Sequence, residues 1–211
     1  MKKVAALFAI LCVMGISAQR ISASPFEGRW VWDGADASEV TEVVFFGNIV
    51  LFMEEFLPYY MGSPFTHSGG IISVEEFDIE WRYRLSGNTL HLSIEDGESV
   101  SFMRVPMPRS PIEGFWQVME AENQEADDEQ YVFFTGDIMG ISEDDGYLGF
   151  TIEFKGRAFR PSVSSLADTL YFIPEDQKEE FLASLLMEYS LAGNYLTLTH
   201  QGETIRLQRM R

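Results

Sequence analysis

Four blocks of sequence occur twice in this chain, in the same order, and that duplication limits the possible folds more than any other feature. Pro25-Phe26-Glu27-Gly28-Arg29-Trp30 returns as Pro111-Ile112-Glu113-Gly114-Phe115-Trp116. Val44-Phe45-Phe46-Gly47-Asn48 returns as Val132-Phe133-Phe134-Thr135-Gly136-Asp137. Tyr83-Arg84-Leu85-Ser86-Gly87-Asn88 is answered by Tyr189-Ser190-Leu191-Ala192-Gly193-Asn194, and Glu98 to Arg104 by Glu203 to Arg209. The copies span residues 24–107 and 108–211. Between them lies Val105-Pro106-Met107-Pro108-Arg109-Ser110-Pro111, whose prolines suit a short, stiff connection.

Inside each copy the apolar residues recur with period two. Ile79, Trp81, Tyr83 and Leu85 alternate with Glu80, Arg82, Arg84 and Ser86, the pattern of a strand with one buried face. Leu90, Leu92 and Ile94 alternate with His91 and Ser93 in the next. Gly87-Asn88 and Gly193-Asn194 suit tight turns, and Asp96-Gly97 and Gln201-Gly202 mark further hairpins. About seven strands per copy, joined by short turns, make an up-and-down antiparallel meander. One segment departs from the pattern. Pro174 to Leu186 reads partly as a helix, with a strand resuming near Leu185.

Gly-x-Trp at the opening of a meander, with an arginine ending its last strand, resembles the lipocalin or calycin pattern. The residues concerned are Gly28, Trp30 and Arg104 in the first copy and Gly114, Trp116 and Arg209 in the second. The resemblance implies that the tryptophan closes one end of a barrel and the arginine lies across it. The chemistry is consistent with this, since an arginine beside inward apolar residues gains from a tryptophan face. The fold expected is all-β, with two tandem antiparallel up-and-down lipocalin-like barrels. One barrel shared by both repeats is the alternative.

The chain opens with Met1-Lys2-Lys3, an apolar run from Val4 to Ile16 and the small residues Ser17 and Ala18. This is the layout of a secretory signal peptide, too short in its apolar core to span a bilayer as a stable helix. Residues 1–23 are therefore expected to be a signal peptide and leader, cleaved after Ala18 or Ala23. The destination expected is the periplasm or the extracellular space. Cys12, the single cysteine, would leave with that segment, so the mature chain would hold no disulfide or thiolate site.

Formal charge is −18, and removal of Lys2 and Lys3 would make it −20 (−18 − 2). Such a charge repels phosphate backbones and anionic headgroups, which argues against nucleic acid and membrane partners. Enzyme chemistry finds no support. His67, His91 and His200 are scattered, and no nucleophile elbow, zinc-binding helix or phosphate-cradling glycine loop occurs. No catalytic residue, cofactor or metal is expected. The acidic runs Glu120, Glu122, Glu125, Asp127 to Glu129 and Glu143-Asp144-Asp145 lack the ordered spacing of a calcium loop.

A small barrel can hold one ligand or fill itself with side chains. Phe52, Phe56, Tyr59, Tyr60, Met61 and Phe65 crowd a loop-like stretch of the first copy and are the candidate ligand-binding residues, as a lid over an apolar or amphipathic molecule. In the second copy an apparent insertion from Gly146 to Ser165 carries Lys155, Arg157 and Arg160, which could meet a carboxylate. The expectation is a non-catalytic lipocalin-like protein binding a small apolar ligand. The alternative is an envelope-structural or protein-interaction module with filled barrels.

Overall fold

The computed structural model describes residues 24–34, 40–54, 57–93, 99–121, 130–143 and 146–210. The expected signal peptide, Phe56, the Asp96-Gly97 turn and the acids 122–129, 144 and 145 lie outside them. The architecture is all-β and antiparallel, with a closed barrel. Among the described residues no helix is long and apolar enough to cross a membrane.

The chain divides into two compact units. The first holds described residues 24–108 together with 146–149, and the second holds 109–143 and 150–210. The division at 108/109 falls inside the proline-rich connection.

In the first unit the strands are β1 (Gly28–Trp32), β2 (Val40–Phe46), β3 (Ile49–Glu54), β4 (Tyr60–Pro64), β5 (Thr66–Ser68), β6 (Ile71–Val74), β7 (Ile79–Ser86), β8 (Thr89–Ser93) and β9 (Ser99–Val105). Among the described residues nine strands stand where about seven are expected, in part because Phe65 interrupts one run into β4 and β5. Hairpin ladders join β1 to β2, β2 to β3, β3 to β4, and β5 through to β9 in turn, and β9 pairs back onto β1. Residues Tyr147, Leu148 and Gly149 pair with Gly62, Met61 and Tyr60 of β4.

Period two explains the core. Val43 and Phe45 on β2, Val50 and Phe52 on β3, Ile72 and Val74 on β6, and Leu90 and Leu92 on β8 all join one buried cluster around Trp30. The alternation is not the usual apolar-in, polar-out of a half-solvated sheet. Val44, Ile49 and Leu51 on the opposite face are buried as well.

The second unit repeats the plan with β10 (Gly114–Ala121), β11 (Tyr131–Thr135), β12 (Ile138–Glu143), β13 (Gly146–Lys155), β14 (Ala158–Pro161), β15 (Met187–Ala192), β16 (Tyr195–His200) and β17 (Glu203–Arg209). Its ladders join β10 to β11, β11 to β12, β13 through to β17 in turn, and β17 back to β10. Trp116, Val132, Phe134, Phe159, Leu196 and Leu207 belong to its core.

Three local expectations are corrected. Gly28 stands opposite Phe45 and Gly114 opposite Phe134, so Phe45 corresponds to Phe134 and Val43 to Val132. The hydrogen-bond register thus shifts the second pair of blocks by one residue and removes the gap before Gly136. The expected insertion at 146–165 is mostly regular strand. The extra length lies at 162–186, as the 3-10 turn Ser164–Leu166, α1 (Ala167–Tyr171), the 3-10 turn Glu175–Gln177 and α2 (Lys178–Ser184). The strand after it begins at Met187 rather than Leu185.

Candidate functional site

The best-defined side-chain arrangement occurs twice, at the opening of each copy. Ser24 and Ser110 begin a turn whose hydroxyls accept the N–H groups of Phe26 and Ile112 at 3.1 and 3.3 Å. Their carbonyls accept from Glu27 and Glu113. Gly28 and Gly114 follow with φ of 122° and 141°, a backbone that side-chain-bearing residues rarely adopt. That bend delivers Trp30 and Trp116 into the two cores, both fully buried. Each indole N–H is satisfied by the turn just left behind, donating to the carbonyls of Phe26 at 2.7 Å and Ile112 at 3.1 Å.

Strand pairing then sets Arg104 directly opposite Trp30 and Arg209 opposite Trp116. The guanidinium carbons lie 4.5 and 4.6 Å from the ring centroids. Arg104 also donates to the carbonyl of Pro25 at 3.3 Å. In both copies the arginine N–H is held by the preceding hairpin, at the carbonyls of Asn88 and Asn194. The cation thus sits on the ring face while its backbone is fixed by the ladder, a favourable use of a weakly hydrated charge.

The glutamate of each opening block has a role that the repeat alone did not reveal. Glu27 accepts the N–H of Gly47 at 3.1 Å. Glu113 accepts from Gly136 at 3.2 Å, from the Thr135 hydroxyl at 3.1 Å and from the Ser110 N–H at 3.3 Å. Each carboxylate therefore ties the opening turn to the β2–β3 or β11–β12 hairpin. The signal available was the shared spacing Ser-Pro-x-Glu-Gly-x-Trp, a reciprocal serine–glutamate arrangement of the kind seen at helix starts.

Of the described residues expected to cover a ligand, Phe52 lies on β3, Tyr59 in the bend before β4, and Phe65 just after β4. Tyr60, Met61 and Pro64 belong to β4, where Gly62 allows close approach: a Cβ there would lie 2.4 Å from Leu51 Cδ2 and 3.0 Å from the Val50 carbonyl. Phe52 and Phe65 are buried in the first core. Phe52 meets Trp81 and Phe77 edge-on at 5.3 and 5.8 Å, and Phe65 meets Phe45 at 5.2 Å. Phe26 fills the same interior against Tyr83 at 4.5 Å and Phe45 at 5.2 Å. Tyr60 is buried outside that cluster, its hydroxyl donating to Glu42, which also holds Arg29 at 2.8 Å. Tyr59 and Met61 are half-buried. The structure brings Phe52 and Phe65 into one core and leaves the others apart from it, with Phe56 beyond the described residues.

The basic residues of the second copy are also dispersed. Lys155 and Arg157 flank the Gly156 turn in the open, and Arg160 pairs with Glu153 at 3.3 Å across β13 and β14. His91 bonds Ser101 at 2.9 Å, His67 packs on the Phe26 and Phe65 rings, and His200 meets the Leu186 carbonyl at 3.1 Å. Among the described residues no group of three or more His, Cys, Asp or Glu side chains is placed to hold a metal ion. Burial first, and then the charge of Glu76, push the phenol of Tyr147 up to about 12.

No protein-family model matches the chain, and no curated protein matches it. Among solved structures, the DNA polymerase III β subunit of Pseudomonas aeruginosa aligns at 8% identity with a TM-score of 0.24, over 90% of this chain and 59% of that one. The chain thus spans about three-fifths of that protein's length. A DUF3598-family protein of unknown function from Nostoc punctiforme aligns at 9% identity with a TM-score of 0.22, over 87% of this chain and 96% of that one. Superpositions this loose transfer neither activity nor partner.

Proposed function

We propose that this chain is an exported, non-catalytic protein made of two tandem lipocalin-like barrels with filled interiors, and that it acts by binding a protein partner. One observation carries the reading. Phe52 and Phe65, two of the six candidate ligand-binding residues, are spent on packing against Trp81, Phe77 and Phe45. Rings at these separations, in tilted or edge-on geometry, are each other's preferred neighbours. An interior built this way resembles a packed barrel core more than a ligand chamber.

The tandem arrangement is supported by the recurrence of the whole opening device in each copy. Turn, positive-φ glycine, buried tryptophan and covering arginine recur with matching bonds. Export is read from the charged start and the apolar run before Ser17. Of the two cleavage points, Ala23 leaves Ser24, the first residue of the opening turn, as the new N-terminus. Its ammonium group would then stand beside Glu27, where the Ser110 N–H stands beside Glu113 in the second copy.

Native mass spectrometry of the protein recovered from outside the cytoplasm tests these points together. The expected result is a bare polypeptide whose mass begins at Ser24. Added mass of small-molecule size that disappears on denaturation would overturn the filled-interior reading. Failure to recover the chain outside the cytoplasm, with only a mass beginning at Met1 inside it, would overturn export.

A further inference from the structure

The second unit carries a segment with no counterpart in the first copy. β6 and β7 are joined through a single 3-10 turn, Glu75–Phe77, whereas β14 and β15 are joined by residues 162–186 with both helices. That segment is anchored from within. Leu170 of α1 and Leu182 of α2 are buried. Ser162 and Ser165 bond the Thr151 hydroxyl of β13 at 2.5 and 2.7 Å, Ser164 bonds Ser162 at 2.7 Å, and the Thr151 N–H donates to Ser165 at 3.0 Å.

Two large rings are left in water by this anchoring. Tyr171, at the end of α1, is 84% exposed, and Phe172 beside it is 82% exposed. Their centroids are 5.3 Å apart with planes at 89°, so they present one joint apolar knob. Single exposed apolar residues are ordinary, but a paired aromatic knob on an anchored insertion is a feature of recognition surfaces. Tyrosine and other aromatics supply large contact area for little lost side-chain freedom.

We infer that Tyr171 and Phe172 anchor a docking surface for a protein partner whose apolar pocket is rimmed by lysine or arginine. The charge that follows the knob along the chain selects that chemistry. Glu175, Asp176, Glu179 and Glu180 follow it and are exposed, against one base, Lys178, already paired with Glu175. Four acids and one base give this stretch a formal charge of −3 (1 − 4). A second copy of the chain would bring the same acids and a total of −18, and an anionic bilayer would repel in the same way. A basic rim instead steers the encounter and leaves the rings to supply the buried contact.

This inference rests on the protein-binding reading above, and the experiment separates the two. In the full chain, made in its own cell, a photoreactive benzophenone analogue of phenylalanine replaces Phe172, and in a parallel variant Met103, which is 52% exposed in the first unit. Irradiation is expected to give a discrete protein adduct from position 172. The adducted protein, once purified, should bind the wild-type chain more weakly as salt rises. Its affinity for the Tyr171→Ser/Phe172→Ser variant should fall at least about tenfold while that variant's thermal unfolding stays unchanged. An adduct from Met103 alone, an adduct with lipid or with a second copy, or an affinity indifferent to the double substitution would overturn the inference. No adduct at either position would overturn the protein-binding reading as well.

Discussion

Glu113 accepts three hydrogen bonds from two segments, and a change of one atom shows what they contribute. In Glu113→Gln the carboxamide brings an N–H2 face toward N–H donors, so at least one of the Ser110, Thr135 and Gly136 groups loses its acceptor. Loss of a charge-assisted bond of this kind costs about 1.5–3 kcal/mol, to be read as a lower urea midpoint. Trp30→Ala empties a fully buried site and should cost about 3–5 kcal/mol by the same measurement. Tyr147 makes a pH prediction. Its folded pKa, raised to about 12, exceeds the ordinary value of 10.0, so the folded state binds the proton more tightly. The associated stability is complete below pH 10.0, falls through the interval to about 12, and should be missing from Tyr147→Phe, as pH-dependent denaturation would show. The meeting of Trp30 with Arg104 was legible through the resemblance to the lipocalin pattern, with Arg104 on the same strand face as Val100 and Phe102. The role of the glutamates was not read, because among 33 acidic residues only their shared spacing after a serine, Ser-Pro-x-Glu, set Glu27 and Glu113 apart.

At the scale of the strand pair, the two copies solve one packing problem differently. Val44 faces Leu51 across β2 and β3, and the corresponding positions across β11 and β12 hold Phe133 and Gly140. The Phe133 ring lies where a Gly140 side chain would begin, since a Cβ there would approach its Cζ to 2.0 Å. Gly140→Leu should therefore overpack the pair by about 1–3 kcal/mol or more. Phe133→Val combined with Gly140→Leu rebuilds the first copy's pair and should recover most of that loss, a coupling measurable by a double-mutant cycle. This register was half legible. Two phenylalanines and a glycine recur in both blocks, so letters alone permit a one-residue slip that only the ladder resolves. The helix read in Pro174 to Leu186 is present as α2, whereas α1 was not read from the sequence. Neither α1 nor α2 has a side-chain N-cap bond, so the sequence carries no sharp start signal there.

For the whole chain, the all-β antiparallel character follows from alternation and from glycine turns such as Gly87 and Gly193, and both were readable. The membership of residues 146–149 in the first unit was not, since nothing in Gly146-Tyr147-Leu148-Gly149 names β4 as its partner. Their removal has a consequence at this scale. A fragment ending at Pro108 leaves the hydrogen-bonding groups of Tyr60 to Gly62 open on one side, and open strand edges recruit other strands. Such a fragment should elute as dimers or larger species in size-exclusion chromatography with light scattering at concentrations where the full chain does not.

That pairing also sets an order in time. A polypeptide leaves a ribosome or a translocation channel with its N-terminus first. The earlier copy is fully outside long before Tyr147 follows, and during that interval β4 waits without its neighbour. Completion of the first unit is therefore gated by synthesis well into the second. Any holding factor that shields nascent strands would be needed most in the window between the emergence of Pro64 and that of Gly149.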